Sequence, residues 1–197
     1  VIKKEHDKEI FEIEGFHNTE IKNIDDIIKN EFIPVYRKTH WLGQGIYFFD
    51  NLDIANDNKN MLEEFDEMVT IGVKIKVPMK HYLDLDNKDN QTIFREYCNE
   101  VIDTLGEAGL EILYKEAEQE KKNIKKLVVF RCFCLDLYKT EKKFFVITKT
   151  FPKDNPCYGI KIKNFDFLGF PYLERYICVS DNLYIENKRI IEQEWIV

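Results

Sequence analysis

The chain has no apolar run that approaches the roughly 20 residues a helix needs to cross a bilayer. Its charged start, Val1-Ile2-Lys3-Lys4-Glu5-His6, does not read as a signal peptide, so a cytoplasmic protein with no membrane partner is expected. It begins at Val1 rather than Met, as a trimmed or partial chain does, and an upstream segment belongs to that expectation. Basic excess is also lacking. Lys and Arg number 29 against 36 Asp and Glu, a net charge of −7, which argues against a general nucleic-acid footprint. Lys121, Lys122, Lys125 and Lys126 do cluster, but as a solvated helix end. The five cysteines, Cys98, Cys132, Cys134, Cys157 and Cys178, are odd in number and unpatterned, which suits reduced, buried thiols. Cys132 and Cys134 have no second pair at zinc spacing, and Asp84-Leu85-Asp86-Asn87-Lys88-Asp89 starts like an EF-hand but has Asp89 and Arg95 where that loop needs Gly and Glu, so no metal is expected. No Gly-rich phosphate loop precedes a helix, and no Ser/His/Asp or Cys/His array assembles.

What is present is aromatic: Phe 15 and Tyr 10 in 197 residues, enough for one domain over 1–197 with a substantial core. Ile10, Phe11 and Ile13 begin an apolar alternation that runs to Phe16-His17-Asn18-Thr19. Asn23 is placed to cap a short helix with Asp25 and Asp26 in its first turn and Ile24, Ile27 and Ile28 on one face. Asp50 to Asn60 is rich in Asn and Asp, and Met61 to Phe65 is helical or turning. Val69 to Val77 alternates as a half-buried strand closed by Pro78. Apolar residues from Thr92 to Leu105 recur at helical spacing, Gly106 interrupts them, and a more polar helix follows from Glu107 to about Asn123. Leu127 to Leu135 is apolar on both faces, which suits a buried strand or a helix continuing into the core. Phe144 to Ile147 and Tyr176 to Ser180 read as strands, with Pro152, Pro156 and Pro171 in loops between them. The class is α+β.

The densest signal lies between Gly15 and Asp50. His17 sits where an extended segment gives way to a helix, and Trp41-Leu42-Gly43-Gln44-Gly45-Ile46-Tyr47-Phe48-Phe49-Asp50 puts two glycines at a turn before an aromatic strand. This pattern resembles the ADP-ribosyltransferase superfamily, in its branch with a His, a Tyr and a third polar residue, which includes the poly-ADP-ribose-polymerase-type enzymes and many bacterial toxin-like proteins. His17-Asn18-Thr19 stands for the usual His-Gly-Thr, and Leu42-Gly43-Gln44-Gly45-Ile46-Tyr47-Phe48 for Leu-Gly-x-Gly-Ile-Tyr-Phe, with Trp41 as the aromatic that bacterial members commonly carry before it. Leu83-Asp84-Leu85 extends the likeness, which is strongest over residues 15 to 56.

The resemblance implies two packed, mostly antiparallel sheets forming an NAD cleft, with flanking helices. It implies NAD as substrate, with no metal, and transfer of a single ADP-ribose unit to a macromolecular or small acceptor. A bacterial toxin or defence effector with an antitoxin or regulator is one such setting. Breaking the glycosidic bond passes through an oxocarbenium-like state, so the ribose must be fixed, nicotinamide held flat and developing positive charge favoured. By resemblance, His17 would hydrogen-bond the adenosine ribose, the Asn18 backbone would meet the nicotinamide amide, and Tyr47 would stack on its ring, with Thr19 and Gly45 completing the cofactor-binding set. Asn18 departs from the family's Gly; if that position needs positive φ, Asn is the best substitute. The family's third residue lies on a late strand ending here in Ile177-Cys178-Val179. The simplest alignment puts Tyr176 there, while Glu174, on the same strand face, has the carboxylate the chemistry favours. A degenerate member that binds nucleotide or a partner is the alternative. An RNA 2′-phosphotransferase shares fold and NAD use, but the acidic charge counts against it.

Overall fold

The computed structural model describes residues 9–60, 68–120, 125–152 and 173–191. Met61 to Phe65, Pro156, Pro171, Cys157, Lys121 and Lys122 lie outside them. The elements are strands β1 (Ile10–Glu20), β2 (Ile46–Phe49), β3 (Met68–Pro78), β4 (Tyr82–Asp84), β5 (Val146–Pro152), β6 (Leu173–Val179) and β7 (Ile185–Ile191), with helices α1 (Ile24–Lys29) and α2 (Leu52–Asn60) on either side of β2 and α3 (Lys88–Glu120) and α4 (Lys126–Lys142) between β4 and β5. The class is α+β, as expected. The seven strands form one hydrogen-bonded sheet in the order β4-β5-β6-β2-β1-β3-β7, antiparallel except at β4–β5, rather than the two packed sheets the resemblance implied. The reason is β2. It is hydrogen-bonded on both edges, to β6 from Ile46↔Val179 to Phe49↔Tyr176 and to β1 at Phe16↔Phe49, so it welds the two halves.

That weld is narrow. β1 and β3 pair along their whole length, from Ile10↔Pro78 to Glu20↔Met68, whereas β1 and β2 share one register pair. The two halves also differ in burial. In β3, Ile71, Val73, Ile75 and Val77 are buried, while Lys74 and Lys76 point the other way into ion pairs with Glu12 and Glu186, and Arg189 pairs with Glu14 at 2.8 Å. This half has one dry and one wet face, the alternation of a sheet solvated on one side. In the other half, Val146-Ile147 and Ile177-Cys178-Val179 are buried on both faces. One face joins the β3 cluster, and the other packs with Leu83, Tyr97, Leu135 and Tyr138 from β4, α3 and α4.

Local chemistry explains the helices. Asn51 caps α2, its Oδ1 accepting from Asp53 N at 2.8 Å and Ile54 N at 3.2 Å, so the Asn- and Asp-rich stretch is a helix. Asn87 does the same for α3, which therefore starts four residues before Thr92. Gly106 breaks α3 with φ 60, ψ −177, a conformation open to glycine, as the interrupted periodicity predicted. Asn23 stands at the start of α1 without capping it; its side chain instead donates to Thr19 Oγ1 at 3.2 Å. The run Leu127 to Leu135 resolves as helix α4. An apolar run that is hydrophobic on all sides carries no period to choose between strand and helix, and here its length and its packing under β5 and β6 decide.

Helix and strand make different stability predictions for that run. In α4, Leu135 is fully buried and Leu127 is 75% exposed. Leu135→Ala is expected to cost about 2–5 kcal/mol in chemical denaturation, and Leu127→Ala no more than about 0.5 kcal/mol. Comparable losses at both positions would contradict the helix.

Candidate functional site

The site begins with the turn before β2. Gly43 has φ 75, and a Cβ built on it would lie 2.4 Å from Asp136 Oδ1 and 2.8 Å from Lys139 Nζ. At Gly45 the obstacle is β6 itself: a Cβ would meet Cys178 Sγ at 2.6 Å and Val179 O at 2.8 Å. The two glycines thus let the chain pass against α4 and then against β6. Between them, Gln44 N donates to Asp136 Oδ1 at 2.6 Å, and the buried Lys139 Nζ donates to Gln44 O while pairing with Asp136 at 3.0 Å. The burial of Lys139 is matched by partners on both its charge and its protons.

Held this way, β2 runs beside β1 at the narrow weld. Because a carbonyl only accepts, His17 Nδ1 carries the proton and donates it to Tyr47 O at 2.8 Å, which leaves Nε2 as an acceptor when the ring is neutral. Burial lowers the His17 pKa below its ordinary value, the backbone bond to Tyr47 opposing this in part. The imidazole packs edge-on to Phe32 with centroids 5.2 Å apart, and against Phe48 at 5.7 Å. Tyr47 leaves β2 on the opposite face, toward the α3–α4 cluster. Its hydroxyl accepts from Leu42 N and donates to Gly43 O, both at 2.7 Å, and His40 stacks on its ring with centroids 5.2 Å apart and planes 21° apart. His17 and Tyr47 nevertheless border one cleft, about 550 Å³, because it opens where their strands part. Thr19 and Gly45 line it too, and its outer wall is the segment from Glu31 to His40.

The remaining predicted residues lie beside this cleft rather than in its lining. Asn18 has no positive φ; it sits in β1 opposite Thr70, and its side chain donates to Ala55 O at 2.6 Å and accepts from Thr70 Oγ1 at 2.8 Å, tying β1 to α2 and β3. Glu174 and Tyr176 share a face of β6, with Tyr176 OH donating to Glu174 Oε2 at 2.6 Å. Glu174 is buried, and its Oε1 accepts from Asn58 Nδ2 of α2 at 2.9 Å. Trp41 and Phe49 flank Tyr176, with centroids 5.3 and 5.1 Å from it. So the structure brings His17, Thr19, Gly45 and Tyr47 together and keeps Asn18, Glu174 and Tyr176 in an adjoining shell. Sequence reasoning missed Asp136, Lys139 and Asn58. Each comes from a distant element, and only the two glycines of the turn signalled that something must press against it.

Among the described residues no group of three or more His, Cys, Asp or Glu could hold a metal ion, and no helix is long and apolar enough to cross a membrane. Burial raises the Cys178 thiol to about 11 and the Cys132 thiol to about 12, so neither is a nucleophile at neutral pH. No protein-family model matches this chain, and no curated protein matches it.

A pH prediction follows from His17. Its folded pKa lies below the ordinary 6.5, so the unfolded chain takes up the proton first as pH falls. Stability contributed by the neutral ring is complete above about 6.5 and is lost as the pH drops from there toward the folded pKa. NMR titration is expected to show the His17 ring taking up its proton only below the ordinary 6.5, and His17→Gln to flatten the stability slope below pH 6.5. A ring that titrates at or above 6.5 would contradict the burial.

Proposed function

We propose that the protein is an NAD-dependent mono-ADP-ribosyltransferase. One observation carries the reading: the Phe16-His17-Asn18-Thr19 and Gly45-Ile46-Tyr47 segments, far apart in the chain, lie side by side where the sheet parts, joined by the His17 to Tyr47 bond and bordering a single cleft. A neutral imidazole with a free acceptor nitrogen suits a ribose hydroxyl, which donates to it. The cleft volume of about 550 Å³ is within the range of small-molecule sites. Tyr47 has its hydroxyl engaged and His40 stacked on one face of its ring, so its proposed contribution to a planar leaving group is the other face. On β6, Glu174 is the carboxylate proposed to favour developing positive charge, with Tyr176 as the other candidate for that role. The acceptor is a macromolecule or small molecule, and a toxin or defence effector answered by an antitoxin or regulator fits the proposal.

A second reading has its own support. Both Glu174 oxygens are bonded within the protein and neither Glu174 nor Tyr176 lines the cleft, an arrangement that also suits a catalytically silent module binding NAD or another nucleotide. Release of nicotinamide from NAD by the purified protein separates the two. Titration with NAD comes first: Tyr47→Ala is expected to weaken binding by on the order of 1 kcal/mol or more, while Tyr47→Phe keeps the ring and instead loses stability through its two turn bonds. Glu174→Gln is then expected to leave NAD affinity nearly intact and slow nicotinamide release on the order of a hundredfold. Unchanged turnover in that variant with a large loss in Tyr176→Phe would move the role to Tyr176. NAD binding with no turnover in the parent would favour the silent module.

A further inference from the structure

The outer wall of the cleft, Glu31 to His40, contains no helix or strand, and among its apolar residues only Phe32 is buried; Ile33 is 85% exposed and Tyr36 77%. Apolar burial therefore holds little of this segment in place. Two carboxamides do so instead, by the same device. Phe32 N donates to Asn182 Oδ1 at 3.1 Å while Asn182 Nδ2 donates back to Phe32 O at 3.0 Å. Five residues on, Arg37 N donates to Gln44 Oε1 at 3.1 Å while Gln44 Nε2 donates back to Arg37 O at 2.6 Å. Each side-chain amide engages one residue's N–H and C=O together, as a neighbouring strand would. The stretch of wall between the two clamps contains Ile33, Pro34 and Val35, which line the cleft.

The clamps are anchored on opposite sides. Asn182 belongs to the turn between β6 and β7, whereas the Gln44 backbone is fixed to α4 by Asp136 and Lys139. We propose that Gln44 and Asn182 are positioning residues: they hold this wall in the geometry that receives the ligand, and ligand affinity depends on them although neither need touch it. With NAD as the ligand, this rests on the function proposed above. The two clamps supply four hydrogen bonds, each worth about 0.5–1.5 kcal/mol, beside the exposed Lys38–Glu116 ion pair at 2.9 Å and a Cys132 Sγ contact to Arg37 O at 3.6 Å, so losing one clamp lowers the fraction of molecules with the cleft formed. Apparent affinity falls by that fraction.

Gln44→Met and Asn182→Leu remove the clamps at similar volume, and amide hydrogen exchange with NAD titration on each tests the proposal. The Arg37 N–H in the first and the Phe32 N–H in the second are expected to exchange on the order of tenfold faster, with β3 amides unchanged. NAD affinity is expected to fall about tenfold, the loss appearing in KM with kcat moving less than twofold. Gln44→Glu, which keeps the acceptor for Arg37 N–H and loses the donor, is expected to retain part of that protection, and it covers the case in which Gln44→Met does not fold. Unchanged exchange at both amides, or faster exchange with unchanged affinity in a parent that binds NAD, overturns the proposal. A parent that binds no NAD defeats the functional reading instead, and exchange at the two amides still decides whether the carboxamides hold the wall.

Discussion

Lys139 is a buried lysine, and the turn it holds decides where β2 begins. Its ammonium and the Asp136 carboxylate grip the backbone of Gln44 from both sides, in a space that a side chain at Gly43 would fill. A pair with one buried partner is poor evidence for stability, because desolvation of the lysine offsets much of its attraction. Its value here is positional. Losing Asp136 would leave the buried Lys139 charge unmatched, so the turn has one low-energy seat on α4. Once it is seated, β2 must run along β6, and Tyr47 must return its hydroxyl to Leu42 and Gly43.

The second constraint is the brevity of β2. Four residues pair fully with β6 but reach β1 at a single register pair, and beyond it the two strands diverge. Extended backbone that leaves a ladder must find other partners for its polar groups. The Tyr47 carbonyl finds His17, and that is why a ring from β1 and a strand from the other half of the sheet meet at a cleft. The same divergence explains how residues whose side chains leave opposite faces come to border one space.

The cleft and the carboxylate beside it pose different physical problems. The cleft wall is built from exposed residues and side-chain amides, so it can be remodelled at modest cost in free energy. Glu174 is buried under α2 with the Tyr176 hydroxyl and the Asn58 amide on its oxygens, which fixes the direction of its carboxyl group. A wall held by side-chain amides with a fixed carboxylate beside the cleft is consistent with the enzyme proposed here and with a binding module, and it is turnover that divides them.

Residues with a strict local period were legible in the sequence. The alternation in Val69 to Val77, the helical spacing broken at Gly106, and the strand at Tyr176 to Ser180 each follow from which side of an element meets the core, and all appear in the fold. The turn at Gly43 and Gly45 was legible for a related reason: glycine marks backbone that another element approaches. The run from Leu127 to Leu135 had no such period, being apolar on every side, and only its packing against β5 and β6 made it a helix. The single sheet, the buried Glu174 under Asn58, and the Asn182 clamp on Phe32 were beyond sequence reading altogether. Each depends on a partner more than a hundred residues away or on a register between strands, and pairing across such distances is fixed by how the whole chain packs, not by any local preference of the residues that meet.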